Sequence, residues 1–128
     1  MKIADRIKRS NTIVYCDQWE QTVTFYGDEL GLDIAFQNDW LVEFRLTATS
    51  FVSVADQSRT TISGAACEGI TLSLQIDDIE ALHRDVVRKG LAPTDIRPQV
   101  MGADVFYLRD PAGTRIEFWC PSRPGPAP

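Results

Sequence analysis

The amino-acid sequence predicts an α+β fold built from two βαβββ modules. Three observations support this prediction. The order strand, helix, strands occurs twice, each helical pattern ends at a glycine, and equivalent positions have nearly equal spacing in the two halves. Asn11 in the first strand lies 20 residues before Gly31, and Thr71 lies 19 residues before Gly90. Repeats of this size need each other to close a hydrophobic core, so the chain is predicted to duplicate one structural unit.

The first module begins with the β-branched and aromatic run NTIVYC at residues 11–16, which is typical of a strand. Apolar residues then recur at helical spacing from about Gln18 to Glu29, which predicts a helix that stops at Gly31. The segments DWLVEFRL and SFVSVAD follow as two strands around a short turn. The apolar positions of the helix are Trp19, Val23, Tyr26 and Leu30.

The second module begins with GITLSLQI at residues 69–76, where apolar and polar residues alternate as in a half-buried strand. Asp77 or Asp78 is predicted to cap the helix that follows, which ends at Gly90. Its apolar positions are spaced three and four residues apart. The segment ADVFYLRDPAGTRIEFWC then predicts a hairpin with a tight turn.

The chain of 128 residues fits one domain. We predict a single domain over residues 1–120, with modules at about 10–58 and 69–120 and a linker of small and polar residues at 59–68. The proline-rich end, residues 121–128, is predicted to be a loose tail.

Strand alternation gives each sheet a second face, opposite to the one that packs on its helix. We predict that the two curved sheets turn these second faces into a shared cleft, and a mixed polar and aromatic cleft is typical of a small-molecule site. The residues assigned to these faces are Asn11, Ile13, Tyr15, Phe51, Ser53, Thr71, Ser73, Gln75, Arg115, Glu117 and Trp119.

The net charge of −5 is unevenly distributed along the chain. The first ten residues carry +3, which leaves −8 for residues 11–128. Phosphate binding needs a basic surface, so this acidic body argues against nucleic acid as a partner.

Cysteine usage and hydropathy predict a cytoplasmic protein without a membrane segment. Cys16, Cys67 and Cys120 are widely spaced and odd in number, which makes a poor disulfide framework or zinc site and suits a reducing compartment. No apolar run approaches the length that spans a bilayer, and no signal-peptide core follows the basic first residues.

Three segments together resemble the vicinal oxygen chelate superfamily, which includes glyoxalase I, bleomycin resistance proteins, fosfomycin resistance enzymes and extradiol dioxygenases. They are WEQTVTFYGDELGL in the first helix, ITLSLQIDDIEALHRDVVRKGL in the second strand and helix, and DPAGTRIEF in the closing hairpin. The resemblance covers about residues 10–120. It implies the glyoxalase/bleomycin resistance/dihydroxybiphenyl dioxygenase-like fold and, by analogy, a homodimer.

The resemblance also implies where metal ligands would lie, because metal-dependent members take His, Glu or Gln ligands from the first and last strand of each half. The corresponding positions here are Asn11, Ser53, Thr71 and Glu117. Three neutral donors and one carboxylate do not hold Zn²⁺, Ni²⁺, Fe²⁺ or Mn²⁺ tightly. We therefore predict no metal cofactor, and a weakly held Mg²⁺ is the alternative. The only histidine, His83, is predicted to lie on the helix, away from the cleft.

Two functions are compatible with these residues. The first is a metal-free binding protein of the bleomycin-resistance type, which captures a small aromatic or cationic molecule. The second is an enzyme of lyase, isomerase or dioxygenase type in which Glu117 is a general base or part of a weak metal site. A purely structural interpretation of Glu117 is a salt bridge with Arg115. The predicted ligand-binding residues are Asn11, Tyr15, Ser53, Thr71, Ser73, Gln75, Met101, Glu117 and Trp119.

Overall fold

A computed structural model describes residues 2–61 and 69–123 of the chain. Strands and helices alternate in the predicted order. The elements are β1 (Ser10–Cys16), α1 (Trp19–Thr24), β2 (Ile34–Gln37), β3 (Leu41–Arg45), β4 (Ser50–Asp56), β5 (Thr71–Gln75), α2 (Ile79–Arg88), β6 (Arg97–Val100), β7 (Ala103–Arg109) and β8 (Arg115–Pro121).

These strands form two four-stranded sheets with the same topology, β1-β4-β3-β2 and β5-β8-β7-β6. In each sheet the first strand of the module runs parallel to its last strand, and the other neighbours are antiparallel. The predicted α+β fold with two βαβββ modules is therefore confirmed. The described residues divide into two compact units, 2–61 with 111–113 and 69–110 with 114–123.

An aromatic cluster holds the first helix on the first sheet. Phe44 on β3 is fully buried, and its ring lies 6.0 Å from that of Tyr26, which meets Phe25 edge-on at 5.1 Å. A Cβ atom at Gly27 would lie 3.2 Å from the Phe44 ring, so this glycine lets the helix approach the sheet closely. Trp19 anchors the start of α1 by donating its indole N–H to the carbonyl of Val54 at 3.0 Å.

The first helix widens before it ends. Residues Phe25–Glu29 form a π-helical turn, in which the Leu30 N–H donates to the carbonyl of Phe25 at 2.9 Å. The chain then leaves the helix at Gly31, whose φ is +72°. The buried side chains are Thr22, Phe25 and Tyr26, whereas the predicted positions Trp19, Val23 and Leu30 are half-buried. Tyr26 is thus the one predicted position that is fully buried.

The second module packs α2 on its sheet through Ile79 and Val86. The Asp78 carboxylate accepts a hydrogen bond from the Ala81 N–H at 3.3 Å, which identifies Asp78 as the cap. His83 lies on the same helix, as predicted. It is half-buried, and its ring meets the Phe106 ring edge-to-face with the centroids 5.0 Å apart. At ten residues α2 is short, and no helix in the described part of the chain is long and apolar enough to cross a membrane.

The sequence did not locate β2 and β6 as separate strands. Their residues are exposed on both sides, so apolar and polar residues do not alternate along them. Both are edge strands whose pairing shifts register, and β6 contains Pro98, which an edge strand tolerates.

The other boundaries agree closely with prediction, except that β8 continues through Pro121, which pairs with Ala103. Ser122 is also attached, since its N–H donates to the carbonyl of Gly102 at 2.9 Å. Most of the predicted linker and tail, residues 62–68 and 124–128, lies outside the described residues.

Two neighbouring valines on α2 test the packing of this module. Val86 is 3% exposed and Val87 is 52% exposed. Val86→Ala should lower the free energy of unfolding by about 2 kcal/mol, because it removes buried methyl groups and leaves a cavity. Val87→Ala should change it by less than about 0.5 kcal/mol. Both substitutions raise the helix propensity by the same amount. The difference between their free energies of unfolding, measured by urea denaturation, therefore reports the burial of Val86. Equal losses would contradict the assigned face of α2.

Candidate functional site

Each sheet carries polar side chains on the face opposite its helix, as strand alternation predicted. We define the first polar face by Asn11, Glu43, Arg45, Phe51 and Ser53 on β1, β3 and β4, together with Arg9, which directly precedes β1. We define the second polar face by Thr71, Ser73, Gln75, Tyr107, Arg115, Glu117 and Trp119 on β5, β7 and β8. That the two faces line one cleft stays a prediction.

A continuous hydrogen-bond network crosses the first polar face. The hydroxyl of Ser53, which is fully buried, donates to the Oδ1 of Asn11 at 3.0 Å. The Asn11 amide donates in turn to Oε2 of Glu43 at 3.4 Å, and Arg9 donates to Oε1 of Glu43 at 2.6 Å. Both carboxylate oxygens of Glu43 are thus engaged, and the charge of Glu43 is balanced by Arg9.

The same face holds an aromatic ring beneath two cations. Phe51 is 5% exposed, and the guanidinium carbons of Arg9 and Arg45 lie 3.7 Å and 5.0 Å from its ring centroid. Both contacts lie within the range of a cation–π interaction.

The second polar face is organised around Glu117. Strand pairing places this residue between Ser73 on β5 and Tyr107 on β7. The Ser73 hydroxyl donates to Oε1 of Glu117 at 2.8 Å, and the carboxylate is half-buried.

The structural interpretation of Glu117 as the partner of Arg115 is wrong. The Nε–H of Arg115 donates to the Thr71 hydroxyl at 2.9 Å, and its guanidinium lies 4.7 Å from the Tyr107 ring centroid. Within residues 2–61 and 69–123, Glu117 forms no salt bridge. The carboxylate therefore has no cationic partner in this part of the chain.

The remaining predicted residues occupy different places. Tyr15 is half-buried on the first polar face, next to Ala55 in the register, and Gln75 lies beside Trp119 on the second. Met101 lies in the turn between β6 and β7 with φ +51° and a fully exposed side chain, so the structure does not bring it onto either face.

Sequence reasoning missed four residues of these faces: Arg9, Glu43, Arg45 and Tyr107. The signal for two of them was present in LVEFR, residues 41–45. Val42 and Phe44 are core residues, so alternation puts Glu43 and Arg45 on the opposite face.

The four positions at which the resemblance implies metal ligands do not fit a divalent cation. Ser53 is buried and its hydroxyl proton is committed to Asn11. Thr71 accepts a hydrogen bond from a guanidinium, which would repel a metal ion held there. No group of three His, Cys, Asp or Glu side chains suited to a metal occurs among the described residues.

Comparisons with known proteins agree with this architecture. The family model for the glyoxalase/bleomycin resistance protein/dioxygenase superfamily matches residues 8–118. No curated protein matches the chain.

Several solved structures share the fold. A lactoylglutathione lyase from Agrobacterium tumefaciens superimposes with a TM-score of 0.71 at 20% identity, over 87% of this chain and 91% of that one. A glyoxalase/bleomycin resistance protein/dioxygenase from Nocardioides gives 0.75 at 14% identity, over 93% and 88%. A glyoxalase/bleomycin resistance protein from Catenulispora acidiphila gives 0.68 at 16%, over 88% and 96%. At these identities the similarity shows the fold alone.

Thermal unfolding tests the conclusion about the ligand positions. Zn²⁺, Ni²⁺, Mn²⁺ and Mg²⁺ in molar excess should each shift the Tm by less than about 1 °C, because only a ligand that binds the folded state stabilises it. The control is Glu117→Gln, which should respond in the same way as the wild type. A rise of several degrees in the wild type that this variant abolishes would establish a metal site at Glu117.

Proposed function

The chain belongs to the glyoxalase/bleomycin resistance/dioxygenase superfamily, and on this premise we propose that it binds a small cationic aromatic molecule on the second polar face without a metal. The observation that carries the proposal is the environment of Glu117. Its half-buried carboxylate accepts one hydrogen bond from Ser73 and has no cationic partner among the described residues. A ligand cation would supply the missing opposite charge.

Aromatic side chains beside Glu117 favour a flat or cationic ligand. Arg115 already lies over the Tyr107 ring. Trp119 lies two residues further along β8, about 7 Å away on the same face, and is half-buried. A cation held by Glu117 could therefore rest against the Trp119 ring, where cation–π attraction adds to the charge pairing.

A binding role agrees with one of the descriptions that the family carries. The descriptions of the Nocardioides and Catenulispora acidiphila structures of the same fold both include bleomycin resistance protein beside other names. From these descriptions we adopt for this chain only the general role of capturing a small molecule. The ligand itself is argued from Glu117 and Trp119.

The second candidate is an enzyme that uses Glu117 as a general base. The observation in its favour is the 2.8 Å hydrogen bond from Ser73, which orients the carboxylate as a proton acceptor requires. The Agrobacterium protein of the same fold is described as a lyase. In this alternative Glu117→Gln removes turnover but leaves substrate affinity largely intact.

Calorimetric titration with benzyltrimethylammonium tests the binding proposal. The wild type should bind this probe saturably, and Glu117→Gln should weaken the affinity about tenfold or more, because one charge pair and its orientation are lost. The matched control is Glu80→Gln, which neutralises an exposed carboxylate on α2 and should bind like the wild type. Benzyl alcohol, the neutral analogue, should bind much more weakly. Equal affinity in both variants would refute the role of Glu117.

We further propose that the protein is a cytoplasmic homodimer. The odd number and wide spacing of Cys16, Cys67 and Cys120 support the first part, because they make a poor disulfide framework. The exposed edge strand β2, on which Ile34 is 50% exposed, supports the second, since unpaired edges and apolar surface favour association.

Light scattering coupled to size-exclusion chromatography tests the dimer. The wild type should elute with twice the mass of the chain, and Ile34→Lys should shift it toward the monomer, because a charge on an edge strand opposes pairing. Circular dichroism of the variant serves as the folding control. A wild type that is monomeric at every concentration would contradict this proposal.

A further inference from the structure

We propose that the first polar face binds a small aromatic carboxylate, with Arg45 as its anchor. Arg45 lies on a different sheet from Glu117, and its ligand has the opposite charge. The proposal therefore rests on different residues from the proposed function and is tested with a different probe.

The charge balance of this face leaves one cation without a partner. Arg9 and Arg45 contribute two positive charges, and Glu43 contributes one negative charge. The Glu43 carboxylate, whose side chain is 13% exposed, is taken up by Arg9 and by the Asn11 amide. Arg45 is exposed and forms no ion pair or side-chain hydrogen bond with the described residues. Its guanidinium donors are therefore available to an anion.

Packing holds the Arg45 guanidinium near the place where such an anion would bind. The group lies 5.0 Å from the Phe51 ring centroid, and Arg9 lies 3.7 Å from the same ring. Two like charges on one ring repel each other, and only one carboxylate offsets them. A bound carboxylate would relieve this repulsion. It would also match the planar fork of the guanidinium, which pairs with a carboxylate through two parallel hydrogen bonds.

Apolar side chains in the row of residues beyond Arg45 favour a ligand that carries an aromatic ring as well as a carboxylate. The row that contains Arg45 and Phe51 is followed, about 7 Å along the strands, by a row that contains Glu43 and Ser53. Ile13 flanks Ser53 in that row, and Phe36 pairs with Glu43. These two side chains are 39% and 54% exposed. Ile13 and Phe36 lie at opposite ends of this row, on β1 and β2, so a ring attached to a carboxylate on Arg45 would cover one of the two. Burial of that side chain would contribute affinity.

The negative charge of the remaining protein favours a singly charged anion over a doubly charged one. Residues 11–128 carry −8, so a phosphate dianion is repelled more strongly than a carboxylate. Phosphate also lacks an apolar group that could cover either Ile13 or Phe36. These features together favour an aromatic carboxylate over inorganic phosphate.

Benzoate titration of the full chain tests this site, by calorimetry and by amide chemical shifts in ¹⁵N-labelled protein. We expect saturable binding with shifts at Arg45, Phe51 and Ile13. Arg45→Gln should weaken it about tenfold or more, as loss of a charge-assisted pair requires. The matched control Arg84→Gln removes an exposed arginine from α2 and should bind like the wild type.

Three results would overturn the proposal. They are a failure of benzoate binding to saturate, equal weakening of binding by Arg45→Gln and Arg84→Gln, and tighter binding of inorganic phosphate than of benzoate. Benzyl alcohol, which lacks the charge, should not compete, and competition by it would show that Arg45 is not the anchor. The thermal midpoint of Arg45→Gln checks that the variant is folded, which its exposed position leads us to expect.

Discussion

Strand register, beginning with the parallel pairing of the first and last strand of each module, determines on which face of its sheet each strand residue lies. Successive side chains of a strand point to opposite faces, so a register that buries Val14 beside Val54 also sets Ile13 beside Ser53 on the other face. The same rule in the second sheet sets Ser73 beside Glu117 once Leu72 is buried. The hydrophobic core and the polar chemistry are therefore two consequences of one register, and neither can move without the other.

The elements with a buried face could be predicted from the sequence, because burial imposes a period on the residues. The strand at 50–56 has the predicted bounds, and the hairpin of β7 and β8 was located to within a residue of its ends. The edge strands β2 and β6 could not be located, since exposure on both sides removes that period. The buried face of α1 was misjudged for a different reason, because the polar residue Thr22 occupies a fully buried position, where its hydroxyl donates to the carbonyl of Gln18 at 2.7 Å.

For the candidate site, alternation predicts the face on which a residue lies but not the partner it chooses. Asn11, Ser53, Ser73 and Glu117 were placed on the correct faces for this reason. The partners depend on long side chains that can reach several neighbours. Arg115 could reach either the carboxylate two residues away or the hydroxyl on the next strand, and it takes the hydroxyl and the Tyr107 ring. Likewise, the pairing of Arg9 with Glu43 joins residues 34 positions apart, which no local pattern encodes.

The π-helical turn also explains a difference in length between the two modules. From Asn11 to the start of α1, and from Thr71 to the start of α2, the count is the same, yet the first module takes one more residue to reach its terminal glycine. Leu32 accordingly bonds back to Tyr26, six residues earlier, whereas Leu91 bonds to Val86, five residues earlier. The additional residue is absorbed inside the helix, and both sheets keep the same strand order. A length change between two copies of a module can thus be confined to a single helical turn, so that the strands that carry the two polar faces keep their positions.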